Sequence, residues 1–139
     1  MKILFMCVAN SARSQLAEGL AKERFGAKAW VESAGSEPKY VNPYAIRSLA
    51  EIGIDISSNE SKSFDDLDPE FRERLDYIIT LCAEEVCPAV ASKTARRLHW
   101  PFPDPAGHMG HEAVQMARFR ETRDLIKDKL DQFARGLGL

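Results

Sequence analysis

The chain has 139 residues, enough for one domain spanning 1–139, and a hydrophobic content of 45% supplies its core. With 19 basic residues against 21 acidic the net charge is −2, and no basic patch suggests a nucleic-acid partner. The apolar runs are far too short to span a membrane, and Asn10 and Arg13 break the first of them before it could act as an export signal, so a cytoplasmic, reducing setting is expected.

Residues 2–7 read as a strand covered on both faces, with a continuous apolar run after Lys2. Leu16, Ala17, Leu20 and Ala21 then recur at helical spacing, and Phe25-Gly26 ends that segment. AWVESAG (29–35) reads as a second strand stopped by Gly35. In NPYAIRSLAEIG, Asn42 can cap a helix, Pro43 suits its first turn, Ile46, Leu49 and Ala50 form the apolar stripe, and Gly53 ends it. Asp68-Pro69 opens a shorter helix the same way. DYIITL (76–81) is a third buried strand, and LHWPF (98–102) a fourth. Phe119, Ile126, Leu130 and Phe133 share one face of a long C-terminal helix. Strands alternating with helices predict a parallel sheet with right-handed crossovers. Ligands bind such sheets beyond the C-terminal strand ends. The sequence places Cys7 at the first of those ends and Cys82 at the third, and Asp104 follows the fourth.

Cys7 and Arg13 make a Cys-x5-Arg loop between strand and helix. The backbone N–H groups of Val8, Ala9, Asn10, Ser11 and Ala12 can curl around an anion, and the following helix adds its positive end. Arg13 offers a planar fork of donors to a tetrahedral oxyanion such as phosphate, sulfate or arsenate. Ser14 can donate to the sulfur, and Asn10 can take a left-handed conformation. A cysteine so placed is expected to react as the thiolate. The simpler alternative is a buried, inert thiol beside a surface arginine. The loop lacks the Gly-Lys-Ser/Thr signature of a nucleotide-binding loop. Three cysteines, an odd number, do not make a structural disulfide framework. The three histidines lack the spacing of zinc partners to them.

CVANSARSQLAEG, together with SAG (33–35), NPYAI (42–46), GIDIS (53–57), TLC (80–82) and HWPFPDPAG (99–107), resembles the low-molecular-weight phosphatase superfamily and, within it, the thioredoxin-coupled arsenate reductases. The resemblance covers essentially the whole chain. It implies an α/β fold of three layers, a four-stranded parallel sheet with helices on both faces. It also implies that Cys7 is the nucleophile. Cys82 would attack the sulfur of an arsenylated Cys7, and Cys87 would then attack Cys82 by thiol–disulfide exchange. The segment 82–98 would rearrange to expose the last disulfide to thioredoxin, although a low-molecular-weight thiol is an alternative reductant. A phosphatase hydrolysing phosphomonoesters, the alternative function, needs only Cys7, Arg13 and an acid. Asp104 is expected to be that acid, although Asp-Pro is also a common turn. Four residues separate Cys82 from Cys87, fewer than is usual in the family, and Ala9 and Ala12 depart from its loop pattern. Ala106 and Gly107 leave a small, open rim, while Tyr40 and Tyr44 are candidates for an aromatic wall. In some relatives residues matching Asn10, Glu18, Ser33 and Asp65 hold a potassium ion; no tightly bound cofactor is otherwise expected. His99, His108 and His111 remain without a role, and solvent-facing or capping positions are expected for them rather than catalysis.

Overall fold

A computed structural model describes residues 1–83, 89–107 and 110–139. Four parallel strands form one sheet in the order β2-β1-β3-β4: β1 (Lys2–Cys7), β2 (Trp30–Gly35), β3 (Tyr77–Thr80) and β4 (Arg96–His99). β1 is central and pairs with β2 in the register Cys7↔Gly35 and with β3 in the register Met6↔Thr80. The continuous apolar run of β1 is explained by burial on both faces. Ile3 and Phe5 enter one core, Leu4 and Met6 the other.

The first core holds α1 (Arg13–Phe25), α2 (Pro43–Ala50) and α4 (Glu112–Gly136) through Leu16, Leu20, Leu49, Phe119, Ile126 and Leu130. The second lies under α3 (Pro69–Glu73), where Phe71 packs with Leu67, Leu75 and Ile78. Helices thus cover both faces of the sheet, as expected. The punctuation of α2 and α3 also behaves as read. Asn42 Oδ1 accepts from Tyr44 N at 2.9 Å, Asp68 Oδ1 accepts from Glu70 N at 2.8 Å, and a proline opens each helix.

The fourth strand is displaced from its expected position at 98–102. It occupies Arg96–His99, an edge strand of mixed exposure. The apolar LHWPF run marks the end of the ladder rather than its body. Trp100 N still donates to Thr80 O at 2.8 Å, in step with Arg96 N on Asp76 O, but Phe102 N reaches Leu81 O at 3.3 Å, one residue out of step, so the regular ladder ends there.

α2 and α4 are joined by a charged clasp. Arg120 Nε and Nη2 grip both oxygens of Glu51 at 2.9 and 2.6 Å, and Arg123 Nη1 reaches Glu51 Oε1 at 3.0 Å and Ser48 O at 2.8 Å. The Arg120 hydrogen bonds, ahead of the charge of Arg123, hold the Glu51 carboxyl down at about 2. A carboxyl depressed below its unfolded value of 4.5 stabilises the fold above that pH and loses its contribution as pH falls towards about 2. In thermal melts Glu51→Gln should therefore be less stable than the native chain at neutral pH, with the gap closing as the pH drops through that window. A constant gap would show that the clasp is not electrostatic.

Candidate active site

The loop between β1 and α1 is turned outward by its carbonyls. Val8 O accepts from Glu37 N at 2.8 Å, Ala9 O from Lys39 N at 3.1 Å and Ser11 O from Asn42 N at 3.0 Å. Asn10 O accepts from Ser61 Oγ at 2.6 Å. In a planar trans peptide the next residue's N–H points opposite to the carbonyl. Tying four successive carbonyls back to the flanking segments therefore turns the N–H groups of Ala9, Asn10, Ser11 and Ala12 towards the inside of the loop. Asn10 makes the reversal possible as the one described non-glycine residue with positive φ, at 49°. α1 adds its N-terminal dipole, since Ala12 caps it with no side chain and its first turn carries no acidic residue.

Cys7 ends β1 inside this cradle as a buried free thiol. Its Sγ lies 2.9 Å from Ser14 Oγ. Asn10 Nδ2 donates to that same Ser14 oxygen at 2.8 Å, which leaves the hydroxyl proton for the sulfur. Arg13 is 5% exposed. Its Nη1 donates to Phe102 O at 2.9 Å and Leu81 O at 3.3 Å, and its Nη2 stands 3.8 Å from Asp104 Oδ2. One guanidinium thus ties the start of α1 to the segments that follow β3 and β4.

Asp104 forms the expected turn and reaches the cavity with its other oxygen. Oδ1 accepts from Ala106 N at 3.0 Å, closing a turn, while Oδ2 faces Arg13 with the side chain half exposed. Cys7, the loop, Arg13 and Asp104 line a cavity of about 370 Å³. Tyr40 also lines it and is 63% exposed, and Lys39 adds a cation to the lining. Tyr44 does not reach the cavity; its ring packs on Phe119 with centroids 5.6 Å apart. Lys39 has no signal in the sequence, since a lone loop lysine carries no pattern.

Cys82 is buried two residues beyond the end of β3, the strand beside that of Cys7, and is disulfide-bonded. Cys87 and His108 lie outside the described residues. His99 Nδ1 contacts Thr80 Oγ1 at 2.7 Å at the sheet edge, and His111 precedes α4.

Of the four residues considered for potassium, the fold gathers Asn10, Glu18 and Ser33. Asp65 stands apart, 92% exposed and 3.8 Å from Arg72 Nη1. The oxygens that were gathered already have donors. Ser33 Oγ donates to Glu18 Oε1 at 2.8 Å and accepts from Asn10 Nδ2 at 2.9 Å. Asn10 Oδ1 accepts from Lys62 N at 3.0 Å and Gln15 Nε2 at 3.1 Å. Glu18 Oε2 accepts from Asn59 Nδ2 at 2.8 Å. Lys62 Nζ stands 3.4 Å from Glu18 Oε1, and Lys22 Nζ 3.2 Å from Oε2. These residues do not fit a potassium ion.

The family model described as low molecular weight phosphotyrosine protein phosphatase matches residues 2–138. The chain is 44% identical to an arsenate reductase of Halalkalibacterium halodurans, covering 95% of this chain and 94% of that one. It is 41% identical to an arsenate reductase of Bacillus subtilis over the same shares. Among solved structures it is similar to an arsenate reductase in the phosphate binding state, with a TM-score of 0.76 at 29% identity and 97% of both chains covered. It also resembles a thioredoxin-dependent arsenate reductase of Corynebacterium glutamicum, with a TM-score of 0.74 at 27% identity, covering 99% of this chain and 61% of that one. A family match along nearly its whole length and relatives above 40% identity place this chain in the low molecular weight phosphotyrosine protein phosphatase family.

Proposed function

We propose that the protein reduces arsenate to arsenite by a thiol relay and is returned to its dithiol form by thioredoxin. The observation that carries this reading is the division of redox states between neighbouring strands. Cys7 is a free thiol within an anion cradle, and Cys82, just beyond the adjacent strand, is in a disulfide. A hydrolytic phosphatase has no use for the second sulfur. The arsenate reductases among the relatives support the same substrate.

The inward amides and Arg13 would hold three arsenate oxygens while the Cys7 sulfur attacks arsenic from below. The arsenic–oxygen bond breaks, and Asp104 delivers the proton that lets the oxygen leave as water. Cys82 then attacks the Cys7 sulfur. The sulfur–arsenic bond breaks, its electron pair stays on arsenic, and arsenite departs, leaving Cys7 and Cys82 joined. Two electrons have moved from the thiols to arsenic. Cys87 attacks Cys82, releases Cys7, and the remaining disulfide is reduced by the thioredoxin dithiol.

The test couples the protein to thioredoxin, thioredoxin reductase and NADPH. Arsenate should drive NADPH oxidation. Cys82→Ser should abolish that turnover, by about a thousandfold or more, yet retain most hydrolysis of an aryl phosphate. Arsenate turnover surviving in Cys82→Ser would refute the relay. The hydrolytic activity itself is favoured by Tyr40, an aromatic side chain at the cavity rim that can face an aryl group.

A further inference from the structure

Lys62 touches three residues around the loop: Asn10, Gly35 and Glu18. Its backbone N donates to Asn10 Oδ1, its carbonyl accepts from Gly35 N at 2.9 Å, and its ammonium lies against Glu18. The Glu18 side chain is 2% exposed, so its charge needs a counter-charge held in place. Two lysines supply it, but unequally. The Lys22 side chain is 49% exposed, and that of Lys62 only 23%. Glu32 faces the same cluster, its carboxyl raised by burial first and by the Glu18 charge as well. Two carboxylates and two ammoniums therefore balance without a metal ion. From Glu18 a chain of hydrogen bonds runs through Ser33, Asn10 and Ser14 to the Cys7 sulfur.

We propose that Lys62 is a built-in cation: its ammonium, held on the buried Glu18 carboxylate, occupies the role of a bound monovalent ion and positions Asn10, and with it the anion cradle around Cys7. Lys62 is a positioning residue here, acting through Asn10. The inference rests on the reading of the Cys7 loop as the oxyanion site, but not on the thiol relay.

The test therefore measures binding of inorganic phosphate by calorimetry, in potassium chloride and in choline chloride at equal ionic strength, about 0.1 M. The native protein should bind phosphate equally in both salts. Lys62→Met should bind about tenfold more weakly in choline, a loss of about 1.4 kcal/mol, and should regain much of that in potassium. Lys62→Arg should retain binding in both salts, and so should Lys22→Met. A merely structural defect would not distinguish potassium from choline. Equal binding by Lys62→Met and the native chain would overturn the inference. So would a loss that potassium does not relieve, or native binding that itself requires potassium. That last measurement needs no variant, so the inference stays testable if Lys62→Met fails to fold. A native protein that binds no phosphate in either salt would instead overturn the oxyanion site, and this inference with it.

Discussion

Cys7→Ser is expected to lose both arsenate reduction and aryl phosphate hydrolysis, each by about a thousandfold or more. The substitution changes one atom at the floor of the cradle. The serine hydroxyl fits the same space and can keep the contact now made to Ser14 Oγ at 2.9 Å. What it lacks is a means of shedding its proton. Serine needs an adjacent general base, whereas a thiol is by its nature a much stronger nucleophile. Among the described residues lining the cavity there is no histidine, and Arg13 is a cation with no acceptor to offer. The serine also cannot enter a disulfide, so reduction fails at two separate steps and hydrolysis at one. Binding should survive. The cradle is built from backbone amides whose carbonyls are anchored by Glu37, Lys39, Asn42 and Ser61, and none of these depends on sulfur. Phosphate should therefore still raise the melting temperature of Cys7→Ser. Activity comparable to the native chain in either assay would show that Cys7 is not the nucleophile.

The fold was legible wherever one pattern answered to one force. The apolar run after Lys2 belongs to a strand between two cores, and Asn42-Pro43 and Asp68-Pro69 carry their caps in the residues themselves. The fourth strand starts two residues before its apolar run because apolar character at Trp100 and Phe102 reports burial at the end of a ladder as well as within one. Its true body includes Arg96 and Arg97, which an edge strand tolerates on its open side. In the site, Cys7, Arg13 and Asp104 were legible because their chemistry is unusual for their positions. Asn10 was legible too, since its side chain tolerates positive φ. The support beneath the loop was not. Gln15, Asn59 and Lys62 reach Asn10 or Glu18 from 5 to 52 positions away, and such contacts leave no periodic trace. Glu18 is buried because α1 is enclosed by the sheet, α2 and α4, so even its polar side chains are covered.

Gly35 is the second residue whose replacement should have a large effect, and the cause is space. It ends β2 opposite Cys7. A Cβ on Gly35 would lie 2.4 Å from Val8 O and 2.9 Å from Asn10 N. Both are backbone atoms, so no side chain can rotate away to make room. Relief must come from moving the loop, and the loop is fixed on that side by the bond from Glu37 N to Val8 O. Gly35→Ala should therefore displace the amides that face the anion by a fraction of an ångström to about 1 Å, enough to reduce kcat/KM about a hundredfold. Overpacking of this kind also costs about 1–3 kcal/mol, or a fall in Tm of roughly 5 °C for a chain of this size. The two effects can be separated. If the damage were only to stability, Gly35→Ala assayed well below its melting temperature would show native kcat/KM and native stabilisation by phosphate. Local displacement of the cradle predicts that both are lost while far-ultraviolet circular dichroism is unchanged. The same separation bears on how the site is built. The nucleophile ends the central strand and the oxyanion donors lie on the loop after it, so the neighbouring strand limits how that loop can pack, and at Gly35 a Cβ would already press on its backbone.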